Sequence, residues 1–207
     1  MQYTLVTEGG SDRALLRPLD WLLTIHCRGP FVGQWANPYA LDDSSRDLYV
    51  RMSQVQRYFP ADLYFVHRDA DASNPADRRR EIGHALARSG CAIPTVCVIP
   101  MRMTEAWFLF RESAIRRAAD RKHGTTRLNL PDAAGAQRIA NPKKILEDAL
   151  ISACELHGRR LSQFRAELGR RKALVASNID DFSPLRRHDS FRELEADLKA
   201  AVTAGGW

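Results

Sequence analysis

The 207-residue chain predicts an α/β fold: a mostly parallel central sheet flanked by helices, with a helical C-terminal extension. Three observations predict it. Apolar runs bounded by turn residues stand at Tyr3-Thr4-Leu5-Val6, Leu63-Tyr64-Phe65-Val66-His67 and Thr95-Val96-Cys97-Val98-Ile99, as expected of strands buried on both faces. Helical patterns alternate with these runs, and that succession marks parallel pairing through crossover helices. In the second half the strand pattern stops and helical patterns take over. The chain accordingly reads as an α/β core over 1–110 and a helical extension over 111–207, packed on the core as one structural unit.

Each element has a local cause. Residues 2–7 form a strand that Gly9-Gly10 breaks. Ser11 is placed to cap a helix whose Leu15, Leu16, Leu19, Leu22 and Leu23 recur at helical spacing; Pro18 inside it predicts a kink or a restart. The Pro30 to Pro38 stretch carries a short strand around Phe31-Val32, and a helix is expected over Ser44 to Arg57. Asp69 to Pro75 is a polar loop, and residues 76–89 make a charged amphipathic helix. After Thr104-Glu105-Ala106-Trp107-Phe108-Leu109 the chain reads as helical. A polar interruption spans Gly124 to Asn141, and helices are predicted over about 142–157, 159–175 and 190–203.

Charge narrows the function classes. The net charge is +6, carried mostly by arginine. Guanidinium forks match phosphate oxygens bidentately, which favours a nucleic-acid or nucleotide partner; a merely solvated basic surface is the alternative. No apolar run approaches the roughly 20 residues of a membrane helix, and the N-terminus has no signal-peptide layout, so the expectation is a cytoplasmic protein without a membrane partner. Cys27, Cys91, Cys97 and Cys154 form no C-x-x-C pair. Cys154 and His157 have no second ligand pair at zinc spacing, which disfavours zinc and fits a reducing compartment.

The chemistry-bearing residues lie where strands end. Val6-Thr7-Glu8-Gly9-Gly10-Ser11-Asp12 closes the first strand, and Asp69-Ala70-Asp71 closes the second. The C-terminal ends of parallel strands point to one edge, where ligands bind. Carboxylates gathered there repel one another unless a cation neutralises them, and hard ions such as Mg²⁺ or Mn²⁺ take such oxygens. Strand alternation sends Asp69 and Asp71 to one side. Gly9 and Gly10 allow close backbone approach and free amides for an anion. Asp12 can otherwise serve only the helix dipole. His67 reads as packed or hydrogen-bonded rather than as a ligand.

Arg102 and Glu105 stand at i, i+3, so on a helix they share a face, Glu105 toward the metal and Arg102 toward a phosphate; an ion pair between them is the alternative. Trp107 reads as core. Lys143 and Lys144 follow Asn141-Pro142 at a helix start, where a lysine can contact a scissile phosphate or remain solvated. Arg159, Arg160, Arg165, Arg170, Arg171 and Lys172 make a basic helical face that suits a nucleic-acid backbone or an acidic partner.

The order Glu8-Gly-Gly-Ser-Asp12, then Asp69-Ala-Asp71, resembles the Toprim metal-binding fold of topoisomerases, primases and overcoming-lysogenization-defect nucleases, and the spacing of Glu8 and Asp12 is similar to the last of these. Pro100-Met-Arg102-Met-Thr-Glu105-Ala-Trp107, Asn141-Pro142-Lys143-Lys144 and Ser183-Pro184-Leu185-Arg186 with Ser190-Phe191 resemble the DUF4276 family of small Toprim-like bacterial proteins, over nearly the whole chain. The resemblance implies Mg²⁺ or Mn²⁺ on Glu8, Asp12, Asp69 and Asp71, with Glu105 as a looser match, and a role beside an ATPase in anti-phage defence. No G-x-x-x-x-G-K-S/T pattern occurs, so such an ATPase is a separate polypeptide. The leading expectation is a metal-dependent nuclease in which Glu8, Asp69, Asp71 and Lys143 do the chemistry. Gly9, Gly10, Arg102 and Lys144 would contact phosphate. The rivals are a non-catalytic binding or sensor subunit of an ATPase complex and, ranked last, a nucleotide-processing enzyme using the same acids.

Overall fold

A computed structural model of the chain describes residues 1–41, 47–70 and 74–207. They group into two compact units, Met1–Pro100 with Asp189–Trp207, and Met101–His188. The sequence-based division ran at 110; the units instead divide at Pro100 and at His188.

The first unit is built on a four-stranded, all-parallel sheet. Its strands are β1 (Gln2–Val6), β2 (Val32–Ala36), β3 (Leu63–His67) and β4 (Thr95–Val98), in the order β2-β1-β3-β4. The α/β class and the parallel sheet therefore stand as expected. α1 (Leu16–His26) joins β1 to β2, α2 (Leu48–Tyr58) joins β2 to β3, and α3 (Pro75–Arg88) joins β3 to β4. The chain moves one way from β1 to β2 and then back past β1 to β3. Right-handed crossovers put helices on opposite faces when the direction reverses. Val6, Tyr64 and Val66 accordingly pack with Leu48, Met52 and Val55 of α2 and Ile82 and Ala85 of α3. Tyr3, Leu5 and Phe65 point to the other face, where the Tyr3 and Phe65 rings meet edge to face at 5.3 Å.

Local chemistry sets the helix starts. A 3₁₀ turn over Gly10–Leu15 precedes α1, so Pro18 falls in the first turn of α1, where a missing N–H costs nothing, and it marks a start rather than a kink. The expected Ser11 cap is replaced: Gly9 is the cap residue, and its N–H donates to Asp12 Oδ2 at 3.1 Å. Asp47 caps α2 through the Tyr49 N–H, and Asn74 caps α3 through the Ala76 N–H. The predicted start of the second helix at Ser44 lies outside the described residues.

In the second unit a 3₁₀ turn over Thr104–Phe108 buries Trp107 completely. Five helices follow among the described residues: α4 (Glu112–Ala118), α5 (Ala133–Ala136), α6 (Pro142–Cys154), α7 (Gly158–Ala166) and α8 (Leu168–Ser177). α6 packs on α4, α7 and α8. Asn141 caps α6, its side chain accepting the Lys144 N–H at 2.9 Å with Pro142 in the first turn. The single helix expected over 159–175 is two, broken at Glu167.

α9 (Asp189–Gly205) belongs to the sheet-bearing unit, where it packs along β4. Phe191 lies beside Trp21 of α1, the His26 imidazole meets Glu195 at 2.7 Å, and Arg79 of α3 pairs with Asp197 at 2.5 Å. Among the described residues no helix is long and apolar enough to cross a membrane.

Candidate functional site

The reversal of strand order falls at β1, so the C-terminal ends of β1 and β3 border the crevice where parallel α/β sheets bind ligands. Both acidic loops leave from these two ends. The first is pinned from several sides. The Thr7 hydroxyl donates to Gly9 O at 2.9 Å and accepts from Trp35 Nε1 at 2.9 Å, while Arg51 Nη1 donates to Thr7 O at 2.5 Å. A Cβ on Gly10 would stand 3.0 Å from the Tyr39 ring, so a side chain there would crowd the turn. Gly9 differs from expectation: its amide is taken by Asp12 rather than presented to an anion.

On β3, alternation sends His67 and Asp69 to one side and Arg68 to the other. His67 is buried, with Nε2 3.1 Å from Asp69 Oδ1 and Nδ1 3.7 Å from Asp12 Oδ2. One imidazole thus links the loop after β1 to the loop after β3. Arg68, also buried, donates to Glu8 Oε1 and reaches Glu81 Oε1 at 2.8 Å. Arg78 joins this network, 2.9 Å from Glu81 and 3.1 Å from the Asp69 carbonyl.

The electrostatics follow from that packing. Burial pulls His67 toward neutrality, but the hydrogen bond with Asp69 and the charges of Asp69, Asp12 and Glu8 outweigh it and hold the imidazole above its ordinary pKa. Burial raises Asp12, and Asp69 and Glu8 push the same way, against the His67 charge and the Gly9 amide. Carboxylates that share an edge need a counter-charge, and the chain's own His67 and Arg68 supply it.

The predicted site residues are therefore partly assembled. Asp12 and Asp69 meet His67, and Glu8 rests on Arg68. Asp71 lies outside the described residues. Glu105 belongs to the second unit, where Lys172 Nζ lies 3.8 Å away. Arg102 is not helical: it has a left-handed backbone with φ of 70°, ahead of the 3₁₀ turn, so the helix face expected to carry Arg102 and Glu105 does not form. Lys143 and Lys144 are exposed at the start of α6, and Lys144 pairs with Asp148 at 2.6 Å. Of the basic stripe, Arg171 pairs with Asp120 and Glu167, and Lys172 with Glu147.

Carboxylate oxygens are the donors a hard divalent ion takes, so the chemistry of Glu8, Asp12 and Asp69 fits Mg²⁺ or Mn²⁺. Their arrangement is not yet a ligand shell: among the described residues no three His, Cys, Asp or Glu side chains are grouped to hold a metal ion. Sequence reasoning missed Glu81 and Arg51, which act across the fold and leave no local pattern. Arg68 carried a signal in retrospect, as a cation in a buried strand directly before two acids. Comparison of the chain with protein-family models, with curated proteins and with solved structures finds no match.

Proposed function

We propose that the chain is a Mg²⁺- or Mn²⁺-dependent phosphodiesterase of Toprim type that cleaves DNA or RNA. The observation that carries this reading is the meeting of the two acidic loops at the sheet's switch point, joined through His67. Glu8, Asp12 and Asp69 would hold the ion, with Asp71 as the second acid of the Asp69-Ala-Asp71 pair. When bound, such an ion polarises a phosphate and lowers the pKa of water.

The chain's own residues do the rest. Before the ion enters, His67, whose proton the neighbouring carboxylates hold more tightly, draws Asp12 and Asp69 together against their mutual repulsion. Arg68 fixes Glu8 at the acidic edge before the ion enters, and Glu8 would accept the proton of an attacking water. The Gly10 backbone, which carries no side chain, would let a phosphate approach the acidic edge closely. A role in anti-phage defence beside a separate ATPase is what the resemblance implies, and the cytoplasm is the expected compartment.

Nicking of supercoiled DNA and cleavage of single-stranded RNA with Mg²⁺ or Mn²⁺ test the reading. Wild type should cleave at least one of them, and Glu8→Ala and Asp69→Ala should lose about 100-fold or more in rate, the scale of a lost charge-stabilising group. Equal cleavage by all three excludes this site. A second reading, a non-catalytic binding or sensor subunit of an ATPase complex, draws on a specific observation: His67 and Arg68 already compensate the acids. It predicts no cleavage and no carboxylate-dependent binding of Mn²⁺.

A further inference from the structure

The Ser183-Pro184-Leu185-Arg186 motif has no part in the chemistry above, yet it builds one wall of a cleft within the second unit. The cleft has a volume of about 450 Å³ and is lined by Phe110, Arg111, Ala133, Ser183, Pro184 and Arg187. Its two arginines come from separate segments: Arg111 precedes α4, and Arg187 ends the 3₁₀ turn over Ser183–Arg187. Most arginines of this unit that lie beside acids are tied to them: Arg116 to Glu112, Arg117 to Asp180 and Arg171 to Asp120 and Glu167. Arg111 and Arg187 form no ion pair with a carboxylate among the described residues. Asp181, two residues before Ser183, accepts from the Ser183 amide at 2.9 Å and from its hydroxyl at 2.8 Å, and the Arg111 charge also acts on it. The hydroxyl proton is thereby committed, which leaves the Ser183 oxygen as an acceptor. Beside these polar groups stand an aromatic ring and a proline ring.

We propose that this cleft is a nucleotide site, in which Arg111 and Arg187 hold a phosphate and Phe110 and Pro184 flank the base. Two guanidinium forks that form no ion pair among the described residues match phosphate oxygens. A phosphate alone would leave the apolar wall uncovered, whereas a nucleotide fills a volume of this order and stacks on such rings. The Ser183 oxygen accepts from a sugar hydroxyl or a base amine. The site stands independently of the phosphodiesterase reading, because none of its residues belongs to the acidic loops.

Calorimetric titration of the full chain with nucleoside 5′-monophosphates, the matching nucleosides and inorganic phosphate tests it. A monophosphate should saturate one site, and nucleoside and phosphate alone should each bind at least about tenfold more weakly. Arg111→Ala with Arg187→Ala should weaken the monophosphate about tenfold or more, with the far-ultraviolet dichroism unchanged. Arg187→Lys should retain part of the affinity. Glu8→Ala should leave it untouched, which separates this site from the catalytic proposal. Competition by a single-stranded oligonucleotide would place the phosphate in a strand, and lack of competition would make it a free nucleotide; either result upholds the site. Absence of saturable monophosphate binding, or undiminished binding by the double variant, overturns it.

Discussion

Arg68 is the residue on which the acidic edge most depends. It is buried, yet it spans Glu8 and Glu81, whose side chains are 40% and 34% exposed. Removing it strands two acids near one edge and leaves a hole beneath them. Loss of a fully buried pair costs several kcal/mol, but the partners' access to water softens the effect, so Arg68→Ala should destabilise by about 2 kcal/mol, read from urea denaturation. His67 makes a prediction about pH. Its folded pKa is raised above 6.5, so the folded chain binds this proton more tightly than the unfolded chain. The resulting stability is present below pH 6.5 and is lost as pH rises through the folded value. Asp12, also raised, acts with the same sign from its ordinary 3.8 upward, in acid. His67→Gln should therefore flatten the fall in stability above pH 6.5; parallel pH profiles for the two proteins would contradict it. Glu8, Asp12 and Asp69 were legible because strand ends concentrate function. Glu81 was not, because it meets Arg68 only once α3 has folded back on the sheet.

At the scale of elements, the strands were legible because each is a short apolar run whose faces are both covered. β2 was the hardest, since Val32, Gly33 and Gln34 present little buried surface, and its existence rests on pairing with β1. Gly33 shows what that pairing requires. It stands opposite Tyr3, and a Cβ there would lie 2.3 Å from the Tyr3 ring, whose hydroxyl is fixed 2.6 Å from Asp20. Gly33→Ala should destabilise by about 1–3 kcal/mol, the usual cost of overpacking, with a lowered melting temperature as the readout. The helix expected over 159–175 failed for a related reason. Its apolar spacing continues across Glu167, but α7 and α8 pack in different places, so tertiary contacts outweigh propensity.

For the whole molecule, the chain leaves the sheet-bearing unit after Pro100 and returns to it at Asp189. Linear reading could not see this return, because the α9 pattern resembles that of the preceding helices and only its contact with β4 assigns it to the sheet. The same topology gathers Glu8, Asp12 and Asp69, distant in sequence, onto the two strand ends beside the switch point. The account requires those carboxylates to exchange their hold on His67 and Arg68 for a divalent cation. Titration of the full chain with Mn²⁺, followed by the loss of the free-ion paramagnetic resonance signal, measures this directly. Saturable binding by wild type, weakened about tenfold or more in Glu8→Gln and Asp69→Asn, is the predicted result. A wild type that leaves the free-ion signal unchanged, or variants that bind as tightly as wild type, would contradict it.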